Sequence, residues 1–148
     1  MIAIACDHAA VRLKSEIEAF LTAQGIAYRD YGCNGEASVD YPDYAALACK
    51  AVQSGECEKG ILICGTGIGM CMTANKFRGI RCAHCTDPLS AALTRSHNDA
   101  NMLAVGARIT GVELALEIVK TFLQTPFSGD ERHLRRINKI SAIEGARK

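Results

Sequence analysis

Gly60-Ile61-Leu62-Ile63-Cys64-Gly65-Thr66-Gly67-Ile68-Gly69 is the stretch on which the fold turns. A short apolar run breaks into three glycines spaced two apart, and a helical pattern follows. Such a run, bounded by a turn signal, fits a buried strand. Strand, glycine turn and helix together open a β-α-β unit.

Working outward, the same alternation covers the rest of the chain. Apolar runs at Ile2–Cys6, Ala27–Tyr31, Gly60–Cys64, Ile80–Ala83 and Met102–Val105 are the strand candidates. Between the first two lies a helical pattern with Leu13, Ile17, Phe20 and Leu21 on one side, stopped at Gly25 as a C′ residue. A second helix opens at Asp40-Tyr41-Pro42, where proline fits the first turn, and ends near Gly55. A fourth begins at Asp87-Pro88. A fifth carries a capping-box pattern, Thr110 with Glu113 three residues on, and runs through Ile118 to Leu123. After Pro126 a last helix shows Leu134, Ile137 and Ile140 as an apolar stripe, with no strand behind it. The expected architecture is α/β: a three-layer α/β/α, Rossmann-like domain with a five-stranded parallel sheet and an extra C-terminal helix. Residues 1–148 read as a single domain, with 128–148 as a tail helix that covers its own sheet or contacts a partner subunit.

Composition narrows the function. The 148 residues are 49% apolar, enough for a full core, which argues against disorder. Seventeen basic against sixteen acidic side chains give +1, so no broad basic surface is expected for nucleic acid. No apolar run approaches the ~20 residues of a membrane span, and the N-terminus lacks a basic, cleavable leader pattern. Of eight cysteines, Cys6, Cys49, Cys64, Cys71 and Cys82 sit inside apolar, regular segments. That suits buried thiols in a reducing, cytoplasmic protein better than a disulfide scaffold. A small ligand or another protein is the expected partner.

In open parallel α/β sheets, ligands bind beyond the carboxyl ends of the strands. Two ends here carry polar residues: Ala5-Cys6-Asp7-His8 and Ile63-Cys64-Gly65-Thr66-Gly67-Ile68-Gly69. The glycine spacing is neither the dinucleotide fingerprint nor a Walker loop. It is either a tight turn with a steric need for glycine or a nest of N–H groups for an anion. Cys64 opens this loop, as an inert buried thiol or as a thiolate base beside an oxyanion hole. On the last helix, Arg132 and Arg136 share a face with His133, Arg135 and Lys139 nearby; they form a solvated basic face or a phosphate grip. Ser96-His97-Asn98-Asp99 is a polar knot before the fifth strand. Cys82-Ala83-His84-Cys85 lacks the second ligand pair that a zinc site requires.

Taken together, the segments Cys6-Asp7-His8, Asp40-Tyr41-Pro42, Gly60 through Gly69, Ala74-Asn75-Lys76, Gly79-Ile80-Arg81, Ser96 through Asn101, Gly106 with Arg108, and Arg132-His133 with Arg136 resemble the ribose-5-phosphate isomerase B family. That family also includes galactose-6-phosphate and allose-6-phosphate isomerases. The resemblance implies interconversion of D-ribose 5-phosphate and D-ribulose 5-phosphate through an enediolate, with no metal and no organic cofactor. By similarity Cys64 is the base, Thr66 assists proton transfer and His97 opens the sugar ring. Gly65, Gly67, Ile68 and Gly69 form the anion hole, while Asp7, Tyr41 and Asn98 hold hydroxyls. His8, Arg108, Arg132 and Arg136 match phosphate ligands, with His133 a weaker match. A branch with a glutamate base places it where this chain has Met70, so the cysteine version is the consistent one. The alternatives are a six-carbon phosphate or free-sugar isomerase of the same family, a non-catalytic sugar-phosphate- or nucleotide-binding protein, and a thiol redox or zinc protein built on Cys82 and Cys85.

One physical argument concerns assembly. Cys64 and Asp7 end strands, whereas His97 precedes one, so the two groups are expected at opposite edges of the sheet, roughly 17 Å apart. His97 and Asn98 would then serve the site of a partner subunit, giving a homodimer with composite sites, and possibly a tetramer.

Overall fold

The computed structural model describes residues 1–145. It contains β1 (Ile2–Cys6), α1 (Val11–Ala23), β2 (Tyr28–Asp30), α2 (Tyr41–Gln53), β3 (Lys59–Cys64), α3 (Ile68–Ala74), β4 (Cys82–His84), α4 (Pro88–Asn98), β5 (Met102–Gly106), α5 (Val112–Gln124) and α6 (Glu131–Gly145). The five strands form one parallel sheet in the order β2-β1-β3-β5-β4.

Period-two alternation assigns the faces. Ile2, Ile4, Ile61, Ile63, Leu103 and Val105 point to one side, into a core shared with Leu13, Ile17 and Leu21 of α1 and Ile118 and Phe122 of α5. Ala3, Ala5, Leu62, Cys64, Met102 and Ala104 point to the other, against Ala45, Ala48 and Cys49 of α2 and Met70 and Ala74 of α3. The second face is lined by smaller side chains, and Cys64 belongs to it. This is the expected three-layer arrangement, with α4 beside α5 on the first face.

Helix ends follow local chemistry. At the end of α1, Gly25 takes φ +66° and donates its N–H to Thr22, while Ile26 donates back to Leu21. This double closure needs a left-handed residue, as Gly25 supplies. At α4 the Asp87 carboxylate accepts the Ser90 N–H at 2.7 Å and its hydroxyl at 2.6 Å, a side-chain N-cap.

Three expectations need correction. Thr110 does not cap α5: Gly111 is the N-cap, with no side-chain cap bond, and Thr110 is buried with its hydroxyl unpartnered among the described residues. The Thr110 N–H closes a turn on Gly106 instead, which carries the side chain beneath the helix. The fourth strand starts at Cys82 rather than Ile80, because side-chain amides take the preceding backbone: Asn101 Oδ1 accepts from Arg81 N and Asn75 Oδ1 accepts from Cys82 N. The tail helix begins at Glu131; of the expected 128–148, residues 146–148 lie outside those described. Its buried stripe is His133 and Ile137, leaving Leu134 and Ile140 exposed. A flat imidazole fits against α4 where the apolar pattern alone suggested leucine.

Among the described residues no helix is long and apolar enough to cross a membrane. All eight cysteines are free, and all but half-exposed Cys71 are buried.

Candidate active site

The strand order reverses between β1 and β3, since the chain leaves β1 toward β2 on one side and continues from β3 on the other. Register puts Cys6 opposite Ile63, and Asp7 donates its N–H to the Ile63 carbonyl at 3.1 Å. Asp7 and Cys64 therefore emerge side by side at the crevice where parallel α/β sheets take ligands.

The turn after Cys64 is held from several directions. Gly67, at φ +79°, donates its N–H to the Cys64 sulfur at 3.1 Å. A side chain at Gly67 would strike the His84 ring at 2.7 Å and the Val105 carbonyl carbon at 2.9 Å. At Gly106 an added Cβ would lie 2.5 Å from the Thr66 carbonyl oxygen. Both glycines therefore answer a steric need. Arg108 N donates to Gly65 O at 2.9 Å, and Ala107 N to Cys64 O at 2.8 Å, so the loops after β3 and β5 are tied together. Steric need is what these contacts show; within the turn the Gly67 N–H goes to Cys64 and the Ile68 N–H to Thr66.

The other expected residues of this edge gather around the turn. The Arg108 side chain lies against Gly65, and the Tyr41 ring against Gly69. Asp7 is buried; one carboxylate oxygen accepts the Ala9 N–H at 3.0 Å, which leaves the other free. His8 Nδ1 accepts the Val39 N–H at 3.2 Å, so a neutral ring carries its proton on Nε2. Thr66 Oγ1 accepts the Ile68 N–H at 3.3 Å, which leaves its own O–H free to donate. The structure thus brings together Asp7, His8, Tyr41, Cys64, Gly65, Thr66, Gly67, Ile68, Gly69 and Arg108.

It does not bring His97, Asn98, Arg132 and Arg136 to them. Asn101, just beyond the knot, accepts from Gly60 N at the amino end of the sheet, while Cys64 lies opposite Gly106 at the carboxyl end. The two sets are separated by the length of β5, roughly 17 Å. At the far edge the four residues do form a group of their own. The His97 ring lies on that of His133, with centroids 4.3 Å apart, and Arg132 and Arg136 flank His133 on α6. The end of α4 is rigid: Asp99 adopts φ +44° and accepts from Arg95 at 2.8 Å and Arg81 at 3.2 Å. A cavity of about 540 Å³ opens beside Asn98, between α4 and the end of α6.

The sequence assigns no site role to four contributors. Ser128 and Asp130 sit against His133; the Ser128-Gly129-Asp130 turn ahead of a helix was the available signal. Asn75, in the Ala74-Asn75-Lys76 segment, bridges α3 to β4 through Cys82. His84 had been weighed only as part of a metal half-site, yet its ring backs Gly67.

The Ribose/Galactose Isomerase family matches residues 2–140. Ribose-5-phosphate isomerase B of Escherichia coli is 47% identical over 146 residues, covering 99% of this chain and 97% of that protein. A D-erythrulose-4-phosphate isomerase of Pectobacterium atrosepticum is 45% identical over 130 residues, 86% of this chain and 85% of that one. The structure of Clostridium thermocellum ribose-5-phosphate isomerase B superposes with a TM-score of 0.95 at 49% identity, covering 97% of each chain. With its fold and nearly its whole length matched in this way, the chain belongs to the ribose/galactose isomerase family.

Proposed function

We propose that this enzyme, a sugar-phosphate isomerase, interconverts D-ribose 5-phosphate and D-ribulose 5-phosphate with Cys64 as the base. The observation that carries the reading is the Gly67 N–H on the Cys64 sulfur at 3.1 Å, at the mouth of a turn whose glycines are packed by Tyr41 and Arg108. The thiolate is the form of a cysteine able to remove a proton from carbon 2. Negative charge then moves to the sugar oxygens as the enediolate forms. Backbone N–H groups of the turn and the Thr66 hydroxyl are placed to meet it, and Cys64 returns the proton at carbon 1. Asp7 and Tyr41 hold hydroxyls, while His8, with its Nε2–H turned outward, and Arg108 receive phosphate.

The remaining residues come from a second copy. His97 opens the ring, Asn98 binds a hydroxyl and Arg132 with Arg136 completes the phosphate grip, each reaching the crevice of a partner subunit. Support comes from the separation of two self-contained groups at opposite ends of one sheet, too far apart to share a substrate within one chain. A homodimer with two composite sites is the simplest closed assembly that joins them.

The test is steady-state isomerisation of ribose 5-phosphate beside allose 6-phosphate, free ribose and D-erythrulose 4-phosphate, with wild type and Cys64→Ala. A preference for ribose 5-phosphate that Cys64→Ala abolishes supports the proposal. Preference for another of these sugars keeps the chemistry and changes the substrate, with the four-carbon phosphate favoured by the Pectobacterium relative. Full activity in Cys64→Ala overturns the cysteine base.

A further inference from the structure

His133 is buried, with 3% of its surface exposed, and it sits on α6 directly behind His97. Its Nδ1 lies 2.9 Å from the Ser128 hydroxyl, and Ser128 is itself fixed by bonds from Asp130 N to its oxygen and from its own N–H to Ser96 O. The His97 ring packs on this anchored imidazole at 4.3 Å with a tilt of 34°. Burial, reinforced by His97, Arg132 and Arg136, holds the His133 ring below the usual histidine range, against an opposing pull from Asp130. The buried ring at this place gives His97 a flat surface to pack on. His133 thus faces its own protein rather than the solvent into which Arg132 projects.

We infer that His133 is a positioning residue for His97, so that it governs sugar ring opening and leaves the isomerisation of an acyclic sugar phosphate unaffected. The inference rests on the assignment of His97 to ring opening. In that step the C1–O4 bond of the furanose breaks as His97 gives its proton to O4. The C1 hydroxyl yields its proton to water and becomes the carbonyl, and His97 is re-protonated from solvent. Atoms and charge balance, with no redox change. The geometric demand is that one imidazole nitrogen meets O4, and the Ser128–His133–His97 stack sets that orientation.

The chemistry of the substrates supplies the test. D-Erythrulose 4-phosphate carries its phosphate on O4, so no five-membered ring can close and none has to be opened. Rates on it and on ribose 5-phosphate are compared for wild type, His97→Gln, His133→Ala, His133→Phe and Ser128→Ala. The expected result is a fall in kcat of about tenfold on ribose 5-phosphate for His133→Ala, the scale of a mispositioned acid–base group, with rates on the four-carbon sugar within about twofold of wild type. His133→Phe, which keeps the flat ring, falls less, and Ser128→Ala shows the same substrate split in milder form. His97→Gln with His133→Ala is no worse than His97→Gln alone, as expected of two residues acting as a unit.

Equal losses on both sugars, or a rise in KM with kcat unchanged, overturn the inference and make His133 a structural or phosphate-binding residue. A split in His97→Gln with none in His133→Ala or Ser128→Ala overturns it while sparing the ring-opening assignment. Absence of a split in His97→Gln overturns the assignment itself. If the four-carbon sugar is not turned over, exchange of the C1 hydrogen of ribulose 5-phosphate with deuterated water takes its place. That open-chain ketose undergoes enolisation without any ring step, so exchange is retained while ribose 5-phosphate turnover falls.

Discussion

Gly67 donates its backbone N–H to the sulfur of Cys64 at 3.1 Å, three residues back along the same turn. The bond exists because Gly67 occupies φ +79°, where a Cβ would collide with the His84 ring and the backbone of Val105. Gly67→Ala therefore has to move the turn away from Cys64. A loss of kcat of about a hundredfold is expected, as for removal of one oxyanion-hole donor, with a fall in stability of about 1–3 kcal/mol from the strained backbone. Kinetics paired with thermal unfolding measures both, and unchanged kcat would detach Gly67 from the chemistry.

Two inactive variants are expected to rescue one another. Cys64→Ala lacks the base and His97→Gln lacks the residue supplied across the interface. After subunit exchange in an equal mixture, half of the dimers are mixed, and each mixed dimer holds one intact site. Activity on ribose 5-phosphate should rise to about one-quarter of wild type for a two-fold symmetric assembly. A mixture no more active than its parents would refute composite sites.

Lys14 tests how the crevice is supported. It is a buried cation on α1, within 2.5 Å of both Asp30 Oδ2 and Asn34 Oδ1. Asn34 belongs to the segment that continues to Val39, the donor to His8. Lys14→Met removes the cation from Asp30, whose partly exposed carboxylate keeps the Gly32 N–H, and a destabilisation of about 1 kcal/mol is expected from chemical denaturation. KM for the sugar phosphate should rise as well, since the His8 ring loses its fixed orientation.

Thiol reactivity should set Cys71 apart from Cys6, Cys49 and Cys85. Its hydrogen bond with Cys82, aided by the backbone at His84 and by Asn75, brings its thiol down to about 7. Burial pushes Cys6 and Cys49 up to about 12 and Cys85 up to about 11. At pH 8 Cys71 is mostly thiolate and those three are not. Alkylation followed by mass spectrometry should mark Cys71 ahead of them, at a rate that falls as pH drops through about 7. Asn75→Ala should slow it.

Asp87 gives α4 an acid-sensitive start. Its bonds from Ser90 hold the carboxyl below the ordinary aspartate range. A folded value below the unfolded one stabilises the fold above the unfolded value and ceases to do so as pH falls through the folded value. Asp87→Ala should therefore lower the thermal midpoint at pH 7, and the gap to wild type should close in strong acid.

Strand and helix identity were legible in the chain because both are written in local patterns. Short apolar runs, the glycine at the end of α1 and the proline opening α2 each act within a few residues. The misjudged places are those where a distant group competes for the backbone. Asn101 and Asn75 claim the N–H groups of Arg81 and Cys82, and a turn on Gly106 buries Thr110, so Ile80 stays out of the strand and Thr110 does not cap. The residue types of the site were also legible, since Cys64, the three glycines after it, Asp7 and His8 follow apolar runs where the strands stop.

Tertiary structure alone decided which of these groups meet. Parallel register set Asp7 beside Cys64, and packing of β5 against the turn tied Arg108 to Gly65. The separation of His97 from Cys64 followed from strand direction already in the sequence, whereas the contact of α6 with α4 decided that the His133 face joins His97. Sequence spacing cannot express this, because a parallel sheet sends every strand end to one edge and every strand start to the other, and only pairing between distant segments tells which starts and ends adjoin.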